Sequence, residues 1–235
     1  MIIVSAYYTI PSKKPKDFYY EHIQRFFRKL NWQGIIFFTD QENLDSLKVF
    51  AGPNVQFVIQ EFDSLPVFQD FSQEIWKEQM KINPEQYQTW QLGSLWASKS
   101  YFVRTASQLL EDEWFVWVDA GCVRTDAWNL DDFTRRSTFS DPGVYVQVLS
   151  HLPSKEIFEY PDVFLAGSHI LFHRSKIDSY IESYKETVDK YIQHKKCIIN
   201  DQYIMASMCR NSSFLKPILH TVSCPDEWFF LFYVI

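Results

Sequence analysis

Several signatures are missing from this 235-residue chain, and each absence removes a class of function. No G-x-G-x-x-G follows the first apolar run, which disfavours a dinucleotide-binding fold. There is no Walker A loop and no G-x-S-x-G elbow, so phosphoryl transfer on a P-loop and ester hydrolysis by a triad lose support. The four cysteines, Cys122, Cys197, Cys209 and Cys224, form no C-x-x-C pair. A zinc site is therefore not expected, and reduced thiols in a cytoplasmic compartment are. A basic excess is lacking as well: the net charge is −6, which weakens any reading as a general nucleic-acid binder, although local basic groups remain able to hold phosphate. The opening MIIVSAYYTI has no basic leader and no long apolar core, and reads as a strand rather than a signal peptide. The closing WFFLFYVI is far shorter than a bilayer span, so no membrane crossing is expected; it reads as a last strand or as the point where a longer parent was cut.

What is present is apolar and aromatic. Hydrophobic residues make up 46% of the chain and aromatics 18%, enough for a sizeable core with rings to spare for stacking on a base or sugar. Ile2 to Tyr8 predicts a strand broken by Pro11 and Pro15. Residues 17–30 place Tyr19, Ile23, Phe26, Phe27 and Leu30 on one helical face. Strands follow at 35–38, 55–59 and 114–118, with helices predicted through Leu44 and Leu47, over 69–82 and over 88–110. This β-α-β-α-β-α-β order implies a mainly parallel sheet covered by helices. Beyond it come a loop rich in Asp and Arg over 123–140, strands at 144–149 and 163–172, a helix over 176–194, and late strands at 214–222 and 228–235. With no internal repeat or linker, the expectation is a single domain with two functional halves, 1–122 and 123–235.

The stretch WFVWVDAGC carries the strongest chemical signal. Its five apolar residues suit a strand buried on both faces, and Asp119 stands where that strand ends. Ligands in open α/β sheets gather outside the carboxyl ends of strands. An acid there, beside the small residues Ala120 and Gly121, has room for a metal ion and a phosphate. Asp40 ends IIFFT in the same way; alone it reads as a turn cap, and with Asp119 it suggests a ligand carrying hydroxyls and a cation. Lys99 falls on the apolar stripe of the 88–110 helix, between Leu95 and Val103. Its ammonium either snorkels to water or reaches a cleft to meet phosphate. Gly167 and Ser168 interrupt the strand VFLAGSHILF, marking a bulge or a close backbone approach, and so either a substrate floor or a packing accommodation. Asn200 and Asp201 stand at a predicted helix start, as caps or as a carboxylate facing the cleft. His220, in the strand PILHTV, is a structural residue unless the fold brings it to Asp119, where acid and imidazole together would suit Mn²⁺.

Taken in order, VSAYYTIPSK, IIFFTD, the W-A-S-K helix around Lys99, WVDAGC, FLAG and NDQ resemble the HtrL/YibB-type glycosyltransferase family across most of the chain. The resemblance implies a GT-A-like α/β fold, with a mainly parallel mixed sheet flanked by helices, a nucleotide-binding half and an acceptor-binding half. It implies a nucleotide-sugar donor, with uridine as the expected base, a glycan or glycoprotein acceptor, and Mn²⁺ or Mg²⁺ as cofactor. Asp119 matches the first acid of the D-x-D motif that such enzymes use to hold the metal; Gly121 stands where the second acid belongs. His220 matches a late metal-binding histidine. Thr9, Asp40, Trp96 and Lys99, with Asp119, Ala120 and Gly121, are the implied nucleotide-sugar pocket, and Gly167 and Ser168 the acceptor side. Asp201 is the expected base if the anomeric centre inverts.

Two other functions remain open at this stage. A non-catalytic carbohydrate-binding module of the same fold is favoured by the missing second acid. A glycoside hydrolase would need a carboxyl pair about 5–10 Å apart. The acids at 111–113 and 131–132 are available for one, but they cluster in predicted surface turns.

Overall fold

The computed structural model describes residues 1–12, 14–128, 130, 139–150 and 165–219. Among them lie seven strands and eight α-helices. The strands are β1 (Ile2–Tyr7), β2 (Ile35–Thr39), β3 (Val55–Ile59), β4 (Trp114–Val118), β5 (Val144–Val148), β6 (Leu165–His173) and β7 (Leu215–Leu219). They form one sheet in the order β3-β2-β1-β4-β6-β5-β7. β1 pairs parallel with β2 and β4, β2 with β3, and β5 with β7, while β6 is antiparallel to both β4 and β5. The result is the mainly parallel mixed sheet flanked by helices that the sequence implied.

The helices are α1 (Lys16–Lys29), α2 (Gln41–Lys48), α3 (Val67–Asp70), α4 (Gln73–Gln79), α5 (Trp90–Ala97), α6 (Lys99–Leu109), α7 (Ile177–Gln193) and α8 (Asp201–Asn211). Strand period two divides β1 between two cores. Val4, Ala6 and Tyr8 join a core containing Phe38, Phe102, Trp117 and Tyr184 on the side of α5 to α8. Ile3 and Tyr7 join a core containing Phe26, Phe27, Leu47 and Val118 on the side of α1 and α2. Because both faces are covered, β2 is buried throughout and β4 from Phe115 onward, which explains their unbroken apolar runs.

Two predicted helices are each divided. The 69–82 helix splits where Phe71 takes an extended conformation, φ −133° and ψ 105°. The 88–110 helix is interrupted at Ser98, whose hydroxyl donates to the Ser94 carbonyl at 2.7 Å. Such a back-bond competes with the helical ladder and bends the chain. The break leaves Lys99 as the first residue of α6, on its buried side. The strand expected at 228–235 and His220 lie outside the described residues. No described helix is long and apolar enough to cross a membrane. Cys122, Cys197 and Cys209 are free thiols.

Candidate active site

Parallel pairing brings the ends of β1, β2 and β4 to one edge of the sheet. Asp119 follows β4 there. Its backbone N–H donates to the Ser168 carbonyl at 2.9 Å, which ties the strand end to β6. The register between β5 and β6 jumps from Val146–Ile170 to Gln147–Ala166, so residues 167–169 bulge away from β5 beside Asp119. Trp117, two residues back and on the same strand face, donates its indole N–H to Asp119 Oδ1 at 2.7 Å. Phe102 stacks on the Trp117 ring at 5.7 Å and fixes that donor.

Lys99 lies at the centre of the floor. Its side chain is only 5% exposed, so it does not snorkel to water. Its ammonium donates to the Gly167 carbonyl at 2.7 Å and to Asp201 Oδ2 at 2.9 Å. Asp119 Oδ1 stands 3.6 Å from the same nitrogen. Asn200 takes the cap of α8, accepting from the Gln202 N–H at 3.0 Å, and this leaves the Asp201 carboxylate turned to Lys99. Gly167 gives this junction a close fit. A Cβ there would lie 3.2 and 3.3 Å from the two Asp201 oxygens and 3.3 Å from the ammonium.

The electrostatics follow from this packing. Burial disfavours the Lys99 charge, but Asp119 and Asp201 outweigh it and the ammonium is held above its ordinary pKa. Burial pushes the Asp119 carboxyl up, against the pull of Lys99 and of the Trp117 indole. The Asp119 side chain keeps 36% of its surface open to the cleft, and water there tempers the burial penalty. His169, the last residue of the bulge and fully buried, is depressed to about 3 by burial and by the Lys99 charge, so it is a neutral imidazole.

These groups form the base of a cleft of about 650 Å³. Thr9, Trp96, Ala120, Gly121 and Ser168 line it with Lys99, Asp119, Gly167 and Asp201, so the fold gathers most of the residues singled out from the sequence. Asp40 is the correction. It reaches the same edge but is not among the lining residues, because its carboxylate caps α2, accepting from the Asn43 backbone at 2.9 Å and side-chain amide at 2.7 Å. Asn43 in turn accepts from the Thr9 hydroxyl at 2.8 Å, so Asp40 stands behind Thr9. Glu111, Asp112 and Glu113 sit at the opposite end of β4, where Asp112 pairs with the N-terminal amine at 2.8 Å.

Sequence reasoning passed over two groups. Tyr7, Tyr8, Tyr19 and Trp117 add aromatic walls, and Lys14, Lys16 and Arg124 add cations at the rim. The signal for Trp117 was available, since a residue two before Asp119 on a strand shares its face. Gly121 was expected to mark a lost acid. A Cβ there would meet only Tyr19 Cδ1, at 3.9 Å, so the position has room for a side chain. Among the described residues no group of three His, Cys, Asp or Glu is placed to hold a metal ion.

Fold and site together define an α/β protein with a charged, aromatic-walled cleft at the carboxyl edge of its parallel strands. No family model and no curated protein matches the chain. Among solved structures it is similar to a glycosyltransferase involved in the glycosylation of the major capsid of PBCV-1. The identity is 12%, the match covers 93% of this chain and 80% of that one, and the TM-score is 0.41. No chemistry is carried over from a likeness that remote.

Proposed function

We propose that this chain is a GT-A-like, HtrL/YibB-type glycosyltransferase that moves a sugar from a nucleotide-diphosphate donor, with uridine as the expected base, to a glycan or glycoprotein acceptor. The observation that carries the reading is the Asp119 carboxylate, delivered by the buried strand β4 into an aromatic-walled cleft of about 650 Å³. That volume lies within the usual range for a small-molecule or cofactor site. Tyr7, Tyr8, Tyr19 and Trp96 offer surfaces for a base or sugar ring, with residues 1–122 serving the donor and 123–235 the acceptor, at Gly167 and Ser168.

Mn²⁺ or Mg²⁺ fits this proposal at Asp119. One Asp119 oxygen is taken by the Trp117 indole, and the carboxylate is still 36% open to the cleft. A hard divalent cation commonly binds through one or two carboxylates plus substrate phosphates. Asp119 would supply the protein oxygen, and His220, outside the described residues, remains the proposed partner. The metal would offset the charge that develops on the leaving diphosphate. The chain's own part is positioning: Trp117 and Lys99 orient Asp119, and Lys99 holds Asp201 Oδ2 so that Oδ1 is left to take the acceptor proton if the reaction inverts.

The missing acid at Gly121 favours a second reading, a carbohydrate-binding module without catalysis. Glycoside hydrolysis is less favoured because the two cleft acids, Asp119 and Asp201, are both drawn to one buried ammonium. The test is product formation from a panel of nucleotide sugars and mixed glycan acceptors. Sugar transfer by the natural chain and none by Asp119→Ala is expected. Intact transfer in the variant rejects the assignment, and glycan binding without nucleotide binding selects the module.

A further inference from the structure

Resting on the donor reading above, we propose that Asn200 and Gln202, on either side of Asp201 in the chain, form a wall that selects an uncharged sugar ring through two neighbouring hydroxyls, one accepting and one donating. The first argument is the polar groups left open there. Asn200 lines the cleft and is only 8% exposed. Its side-chain oxygen accepts the Gln202 backbone N–H at 3.0 Å. Among the described residues its amide N–H2 has no partner, and it is not sealed from solvent. A donor so nearly buried and still reachable suits a ligand atom. Gln202 lines the same cleft. Its amide N–H2 donates to the Leu165 carbonyl at 2.7 Å, and its side-chain oxygen is open and without a partner among the described residues.

The second argument is that both amides are locked in orientation. A backbone N–H only donates, and a backbone carbonyl only accepts. Asn200 must therefore give its oxygen to the start of α8 and leave its N–H2 open. Gln202 must do the reverse, giving its N–H2 to the first residue of β6 and leaving its oxygen open. The wall thus offers one fixed donor and one fixed acceptor. A sugar hydroxyl both donates and accepts, so two neighbouring hydroxyls satisfy the pair.

The third argument is charge. The floor beside this wall sets two carboxylates, Asp119 and Asp201, against the one ammonium of Lys99. A uronate would bring a further negative charge to that floor, and a hydroxyl brings none. The hydroxyl pair can belong to the transferred sugar or to the acceptor. The chemistry is the same, and the experiment separates the two sources.

The experiment is calorimetric titration in Mn²⁺ with UDP-glucose, UDP-galactose, UDP-glucuronate and GDP-mannose, each against UDP or GDP alone. Methyl glucoside, galactoside and mannoside stand in for an acceptor, with binding read by saturation-transfer NMR. The proteins are the natural chain, Asn200→Ser and Gln202→Met. Serine keeps a capping oxygen for α8 and removes the amide donor, so a role confined to capping predicts no change in binding. Methionine keeps the length of Gln202 and suits a helix, so one variant remains informative if the other melts early. At least one uncharged sugar should bind the natural chain more tightly than its nucleoside diphosphate alone. Each variant should lose about threefold to tenfold of that gain, the scale of one neutral hydrogen bond, and the loss should fall on the sugar and not on the nucleoside diphosphate. The same loss confined to a methyl glycoside assigns the wall to the acceptor. Equal sugar binding by all three proteins, or no sugar bound by the natural chain, overturns the wall; nucleoside diphosphate binding in either case leaves the donor reading standing. UDP-glucuronate binding the natural chain more tightly than UDP-glucose and UDP-galactose overturns the selection for an uncharged ring. Methyl glycoside binding that the variants lose, with no nucleoside diphosphate bound, supports the wall and overturns the donor reading.

Discussion

The floor and the rim of the cleft are built by opposite means. On the floor, Lys99, Asp119, Asp201 and the Gly167 carbonyl converge from α6, the end of β4, α8 and β6, and each group has its position set by another. At the rim, Lys14 and Arg124 are exposed and Lys16 is half-buried, with rings rather than carboxylates beside the two lysines. The floor couples function to folding, since a buried charge left without its partner is costly. The rim separates them, since an exposed charge contributes little to stability and can still hold a ligand. Damage to the floor should therefore appear in the melting curve as well as in binding, and damage to the rim in binding alone.

The largest effect should come from Lys99→Met. It strands two carboxylates around an apolar group and should cost about 3–5 kcal/mol in urea unfolding, the scale for breaking a buried pair from one side. Adding Asp201→Asn should recover most of that loss. A single variant as stable as the natural chain would show that the floor is not over-determined and would break the contrast. Gly167→Ala comes next. Its Cβ would press on Asp201 and Lys99 at 3.2–3.3 Å, and overpacking of this kind costs about 1–3 kcal/mol. An unchanged unfolding midpoint would mean that β6 can yield at the bulge.

The pH dependence gives a third test. His169 titrates near 3 in the folded chain and near 6.5 when unfolded, so below about 6.5 the unfolded state binds the extra proton. Stability should therefore fall as pH drops from about 6.5 toward 3, by at most about 1.4 kcal/mol per pH unit from this group. Asp119, raised by burial, works in the opposite direction below its folded pKa and blunts the lower part of that slope. His169→Gln should flatten the fall between pH 6.5 and 4.5; an unaltered slope would remove His169 from the account. The smallest effect should come from Gly121→Asp, which has room beside Tyr19. It should fold, lose less than about 1 kcal/mol without metal because of the nearby Asp119 charge, and gain stability on adding Mn²⁺. No gain with Mn²⁺ would argue against a cation at Asp119.

The parts of this molecule that the sequence made legible are those governed by local pattern. WFVWV ends on Asp119 as its buried run implied, and the charge on the apolar stripe at Lys99 did mark a cleft residue. What stayed hidden depends on contacts distant in sequence or on a choice between equivalent roles. Nothing near Lys99 in the chain shows that Asp201, 102 positions away, shares its ammonium. Asp40 and Asp119 look alike in sequence, yet one caps α2 and the other opens to the cleft; a strand-end Asp can do either. The breaks at Phe71 and Ser98 were missed because apolar spacing continues across them. The rim lysines were passed over because an exposed charge is ordinarily only solvated surface.

The most direct test of the central claim, that β4 delivers Asp119 to a nucleoside diphosphate, is calorimetry of UDP, GDP, ADP and CDP in Mn²⁺ with the natural chain and Asp119→Asn. The amide keeps the size of the side chain and removes its charge. At least one nucleoside diphosphate should bind the natural chain and bind the variant at least about tenfold more weakly. Equal affinity for both proteins, or no nucleoside diphosphate bound by the natural chain, would contradict the claim.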